Sequence, residues 1–99
     1  MNTVKTQNKR NTKGLRAISE NYAKLPTITK VTFEDSLIHF HLSDKRILSI
    51  PILWIKKLAE ATDAQRLNYI VRGHFVFWDE IDEIIGVKNL FNGSVIPGY

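Results

Sequence analysis

The chain contains no cysteine, which removes disulfides, thiolate nucleophiles and every cysteine-ligated zinc or iron–sulfur site at once. Any catalysis would have to rest on other groups. No apolar stretch approaches the roughly 20 residues of a membrane-spanning helix. Met1 is followed by a polar, basic segment that lacks the apolar run of a signal peptide. The expected location is the cytoplasm, with no membrane partner. Glycine is scarce, five in 99 residues, and Gly73 and Gly86 stand alone, so no glycine-rich phosphate loop can form. No serine sits in a Gly-x-Ser-x-Gly elbow. The residues therefore point to a non-enzymatic protein without a cofactor.

What is present fits one small domain: 99 residues, 43% hydrophobic, 10% aromatic and 24% charged, enough for a shallow core but not for two independent units. The net charge of +4 is unevenly placed. Seven basic groups against Glu20 make residues 1–30 +6, and the remainder, with seven basic groups against nine carboxylates, is −2. Residues 1–13 are almost wholly Asn, Thr, Gln, Lys and Arg, with Val4 the lone apolar residue after Met1. Such a stretch buries nothing that offsets its ordering entropy, and it reads as disordered unless bound. Leu15, Ile18, Tyr22 and Leu25 then recur at near-helical spacing, which predicts a short amphipathic helix ended by Pro26. A helix this short is marginal in water and needs the domain or a partner to dock on.

From Thr29 the period changes to two. Val31 and Phe33 alternate with Thr32 and Glu34, and Ile38, Phe40 and Leu42 alternate with Leu37, His39 and His41, the pattern of half-buried strands. Glu34-Asp35-Ser36 and Asp44-Lys45 supply turns, and Ile47-Leu48-Ser49-Ile50 a third strand. Pro51 suits a helix start, with Ile52, Ile55, Leu58 and Ala59 following on one face to about Ala61. Thr62 and Gln65 form a capping-box pattern that predicts a second short helix to about Asn68. Tyr69–Arg72 and Phe75–Trp78 are β-branched and aromatic, and Gly73 between them reads as a bulge in one long strand rather than a tight turn. Residues 79–85 form an acidic turn of helix or an extended edge, after which Val87, Leu90 and Phe91 return to the core.

These elements and their residues resemble those of one bacterial family, domain-of-unknown-function family 2442, over residues 29–93. The resemblance rests on Val31-Thr32-Phe33-Glu34-Asp35, on Leu42-Ser43-Asp44 ahead of Arg46, on Ile50-Pro51 leading to Trp54, and on Ala61-Thr62 before Gln65-Arg66. It continues through Gly73, Trp78 and Asp82-Glu83, then Ile85, Val87, Leu90 and Gly93. Three positions depart from it: Lys45 stands where the family usually has glycine, Ile55-Lys56 replaces Phe-Pro after Trp54, and Ile84 replaces a common acidic residue. The last change extends an apolar contact surface. The resemblance implies a small accessory protein with a binding role, antitoxin-like or regulatory, and no active site to carry over.

Each candidate site has a plainer explanation beside it. Asp79, Glu80, Asp82 and Glu83 offer oxygen ligands for a hard cation, but they lack the glycine-bearing calcium loop, and a solvated, partner-facing acidic edge explains them more simply. His39 and His41 share a strand face with spacing that zinc tolerates, with His74 as a further candidate near them, yet exposed strand histidines are the ordinary case. Trp54 and Trp78 suit core anchors, although Trp78 beside the carboxylates also suits an interface centre.

The expected architecture is α+β: an antiparallel meander of about four strands with one main helix packed on one face. Residues 1–28 form the basic arm, 29–93 the domain and 94–99 a surface tail. The expected function is binding another protein, a cognate toxin-like or regulated one, through Trp78, Asp79, Glu80, Asp82 and Glu83 and through Lys9, Arg10, Lys13 and Arg16 of the arm. The alternative is nucleic-acid binding in which those same arm residues track a phosphate backbone.

Overall fold

A computed structural model describes residues 24–98. Lys9, Arg10, Lys13 and Arg16, with Leu15, Ile18 and Tyr22 of the expected N-terminal helix, lie outside the described residues. The fold is mixed α+β, but in place of one four-stranded meander it has two three-stranded antiparallel sheets. The first joins β1 (Ile28–Glu34), β2 (Leu37–Leu42) and β3 (Ile47–Pro51) in that order. The second joins β4 (Ile70–Arg72), β5 (Phe75–Trp78) and β6 (Glu83–Gly86). Among the described residues the sheets are accompanied by three short α-helices, α1 (Lys56–Ala59), α2 (Asp63–Leu67) and α3 (Val87–Phe91).

The first sheet follows the period-two pattern. Val31 opposes Phe40, Phe33 opposes Ile38, and Ile38 opposes Ile50 on the core face, while Thr32, His39 and Ser49 line up on the other. A register shift between Ile28 and Lys30 lets Ile28 and Val31, three residues apart, both be buried, as the extra residue of a bulge allows. The turn between β2 and β3 places Lys45 at φ +79°, in the left-handed region that the resemblance reserves for glycine. Asp44 braces this turn by accepting from Arg46 Nε at 2.8 Å and Arg46 N–H at 3.1 Å.

The main helix expected after Pro51 is absent. Pro51 ends β3, Ile52–Trp54 form a 3₁₀ turn, and Ile55 is extended at φ −116° and ψ 96° before α1 begins. The reason lies in the spacing: Ile52, Ile55 and Leu58 are all buried and three residues apart. That is the period of a 3₁₀ turn rather than of an α-helix. The predicted capping box is present at α2, with Gln65 N–H donating to Thr62 Oγ1 at 3.1 Å and Thr62 N–H donating to Gln65 Oε1 at 2.9 Å.

The bulge expected at Gly73 is instead a tight turn. Arg72 pairs with Phe75, leaving Gly73 and His74 as a two-residue loop with Gly73 at φ +60°. Glycine at the first loop position of such a hairpin matches the strand twist. The acidic segment is both of the things its sequence allowed, a 3₁₀ turn at Asp79–Ile81 and then the edge strand β6. Gly86 is required by packing rather than by dihedral freedom, because a Cβ there would meet Phe75 Cε1 at 2.8 Å.

The two sheets meet at β1 and β4. Ile28 N–H donates to Gly73 O at 2.9 Å. The Tyr69 hydroxyl accepts from Val31 N–H at 3.0 Å and donates to Val31 O at 2.9 Å, standing in for the strand that β1 lacks on that side. Trp78 lies at the centre of the core, fully buried, with its ring 6.1 Å from that of Tyr69. Its indole N–H donates to Arg66 O at 3.0 Å. The Arg66 guanidinium in turn donates to Leu58 O at 2.8 Å and Ala59 O at 3.0 Å, closing the end of α1.

Tyr69→Phe keeps the ring but leaves both polar groups of Val31 without their partner, so the fold should lose about 1–3 kcal/mol with an unchanged m-value in urea unfolding. Lys45→Gly relieves a left-handed side-chain residue and should add about 1 kcal/mol, read as a higher urea midpoint.

Candidate functional site

The acidic residues singled out from sequence are gathered along one rim. Asp79 and Glu80 are exposed on the 3₁₀ turn, and Glu80 Oε2 accepts from Gln65 Nε2 at 3.0 Å. Asp82 is left-handed at φ +56°, a conformation that aspartate tolerates better than most residues. Its carboxylate is 99% exposed, 3.8 Å from Lys57 Nζ, and its carbonyl accepts from Lys57 Nζ at 2.7 Å. Glu83 begins β6. Trp78 does not belong with them: its side chain is sealed in the core, and the interface role given to it is corrected on that ground. Alternation along β5 puts Val76 and Trp78 inward together.

β6 is the outer strand of its sheet, and its edge is occupied by side chains rather than by backbone. Ile84 N–H donates to Glu83 Oε2 at 3.1 Å, and Gly86 N–H donates to Asn89 Oδ1 at 2.9 Å. Asn89 Nδ2 donates onward to Ser94 Oγ at 2.9 Å. Two donors two residues apart on one strand point the same way, which is the spacing of an unpaired edge. Beside this edge runs a groove of about 430 Å³ lined by Trp54, Ile55, Lys56, Lys57, Glu83, Ile84, Ile85, Asn89, Ser94 and Val95. The tail from residue 94 therefore helps build this site, with Val95 packed against the core.

Lys57, Asn89 and the groove were not legible as a site in the sequence. A signal did exist for Asn89, which stands three residues after Gly86 at the start of α3, where a side chain can reach back to the cap N–H. Ile84, flagged as an apolar replacement, is 55% exposed and sits at the groove.

The histidines do not converge. His41 Nε2 is 2.9 Å from Thr32 Oγ1, and His39 contacts Ser49 Oγ and, at 3.3 Å, Glu34 Oε1. His74 Nε2 lies on the other sheet and donates to Leu25 O at 3.2 Å. Among the described residues no group of three or more His, Cys, Asp or Glu is placed to hold a metal ion, and no helix is long and apolar enough to cross a membrane.

A family model described as Protein of unknown function (DUF2442) matches residues 28–95. No curated protein matches the chain. A crystal structure of a protein of unknown function from Rhodospirillum rubrum is similar in fold, with TM-score 0.62 and 18% identity over 71% of this chain and 89% of that one. The solution NMR structure of an uncharacterized protein from Chromobacterium violaceum has TM-score 0.68 and 18% identity over 99% of this chain and 91% of that one. At such identity the likeness speaks for the fold alone.

Burial holds the His41 pKa below its ordinary value, with Lys30 and then His39 adding to the effect. The unfolded chain then binds the proton more readily than the folded one. This contribution to stability is intact above about pH 6.5 and is lost as pH falls from there towards the lower folded value. The His41 ring should titrate below 6.5 by NMR, and His41→Gln should flatten the fall of the urea midpoint across that window.

Proposed function

The chain belongs to the family Protein of unknown function (DUF2442), and from that premise we propose that it is a non-enzymatic protein-binding module, antitoxin-like or regulatory. The single observation that carries this reading is the edge of β6, whose Ile84 and Gly86 N–H groups are held by the side chains of Glu83 and Asn89 beside an open groove. Side-chain acceptors can swing away, and backbone carbonyls of an extended partner segment can take their place, adding a strand to the sheet. Lys56 and Lys57 line the same groove and favour a segment bearing acidic side chains. Asp79, Glu80 and Asp82 form a charged rim beside it that orients a partner and raises the encounter rate.

The basic arm, with Lys9, Arg10, Lys13 and Arg16, supplies a second contact in this reading. It is also the element on which nucleic-acid binding would depend.

The test is affinity capture of the tagged full chain from its native extract, with and without nuclease. A nuclease-resistant protein partner is expected. The combined Asp79→Lys and Glu80→Lys variant should reduce its recovery by about tenfold or more, since these side chains are exposed and their reversal leaves the core intact. Recovery of nucleic acid alone, released by nuclease or moderate salt and dependent on residues 1–13, would overturn the assignment and make the arm the functional element.

A further inference from the structure

The outer strand of the second sheet carries an apolar side chain where edges are ordinarily guarded. Ile70 pairs with Phe77 and Phe77 with Ile84, so one row of apolar side chains crosses all three strands. It lies on the face opposite the buried Val76, Trp78 and Ile85, and it stops abruptly at Ile84, which is 55% exposed. Proteins keep edge strands from pairing with charged side chains, proline or a bulge. In β6, Glu83-Ile84-Ile85-Gly86, the charge stands at one end and the isoleucine in the middle.

We infer that β6 pairs antiparallel with β6 of a second copy of this chain, Ile84 opposite Ile84, joining two three-stranded sheets into one of six strands. The backbone suits this. Ile84 N–H faces away from β5 and is held by Oε2 of the neighbouring Glu83 at 3.1 Å, a side chain that leaves by rotation. In an antiparallel ladder the N–H and C=O of one residue point the same way, so two Ile84 residues satisfy each other with reciprocal hydrogen bonds about a two-fold axis. Gly86 N–H keeps its bond to Asn89 Oδ1, and α3 need not move. The side chains agree, because this register carries the apolar row on without a break, from Ile70, Phe77 and Ile84 to the same three residues of the second copy in reverse. Cross-strand apolar pairs stabilise such a join, and both Ile84 side chains leave water. The charges agree as well. The antiparallel arrangement sets the acidic end of one β6, where the Asp82 carboxylate is 99% exposed, beside the start of α3 in the other copy, which carries Lys88. Opposite signs thus meet twice by symmetry, whereas a parallel pairing would set Asp82 against Asp82.

One pair of short strands buries far less than the roughly 800 Å² per partner of a standard interface, so this dimer is weak and forms at high protein concentration. The inference deepens the reading of the β6 edge given above and rests on it: a second copy occupies the edge of the isolated chain, and an extended partner segment must displace it.

The test is sedimentation equilibrium of the full chain up to millimolar concentration, with Ile84→Glu and Ile84→Lys measured singly and mixed in equal amounts. The mass of the unaltered chain is expected to rise from 11.4 kDa towards twice that value. Each variant alone sets like charges directly across the axis and should associate about fivefold more weakly or worse. The equimolar mixture, which sets Glu against Lys, should recover the association. Ile84 is exposed, so neither change disturbs the core, and recovery in the mixture cannot come from unfolded chains. An unaltered chain that stays at 11.4 kDa throughout would overturn the inference. Variants that associate as strongly as the unaltered chain would place any dimer contact elsewhere and overturn it too, and a mixture that fails to recover would overturn the pairing of Ile84 with itself. The measurement uses the isolated chain, so its failure leaves capture of a partner by the same edge to be decided separately.

Discussion

Everything in this fold hangs on how the outer edge of β1 is closed. The described residues hold six strands, yet these form two sheets rather than one, and the join between them is a phenol and one backbone hydrogen bond. The Tyr69 hydroxyl both accepts from and donates to Val31, satisfying the donor and the acceptor that a seventh strand would otherwise have met. A buried backbone group left without a partner costs more than a typical hydrogen bond gains, so this contact fixes where the second sheet can sit. Once it is placed, the Tyr69 ring leans on Trp78, the indole N–H finds Arg66 O, and the Arg66 guanidinium closes α1. One chain of hydrogen bonds and a ring contact thus runs from the first sheet through the core to the helical segment.

The same edge problem is solved differently at β6, and that difference is what makes the strand a candidate site. At β1 the cap is a tyrosine packed against the core. At β6 the caps are Glu83, one residue away from the N–H it holds, and Asn89 on the first turn of α3. Short polar side chains at a rim protect an edge from casual pairing and can still be displaced by a better backbone match. The groove beside it, the lysines on its wall and the carboxylates along its rim combine charges of both signs in a small area. That arrangement favours selection among partners more than raw affinity.

Much of this was legible in the residues. The alternation of β2 and of β1 from Val31 onward, the Asp35 and Lys45 turns and the Thr62 to Gln65 capping box all follow from local chemistry, and each appears where its pattern sits. Lys45 is instructive, because a departure from a glycine position anticipated a left-handed residue that the turn does contain. The misreadings share a cause. Ile52, Ile55 and Leu58 satisfy both a 3₁₀ and a loose helical reading, and Gly73 suits both a bulge and a hairpin loop, so local sequence could not choose. Burial of three isoleucine and leucine side chains on one core, and pairing of β5 with two neighbours, made the choice. Trp78 was ambiguous for a related reason: an aromatic beside four carboxylates looks like an interface until the sheet's alternation turns it inward.

By itself the sequence determined the α+β class, the two β-hairpin turns of the first sheet, the uneven charge between a basic first third and a near-neutral remainder, and membership of the family. These depend on composition, on period and on residues a few positions apart. Only the tertiary structure decided that there are two sheets, that Asn89 and Glu83 guard one edge, that Lys56 and Lys57 share a groove with Ile84, and that Ile70, Phe77 and Ile84 form one row. Each of those depends on which distant segments pack together, and packing is chosen by the burial and hydrogen-bond satisfaction of the whole chain rather than by any local preference.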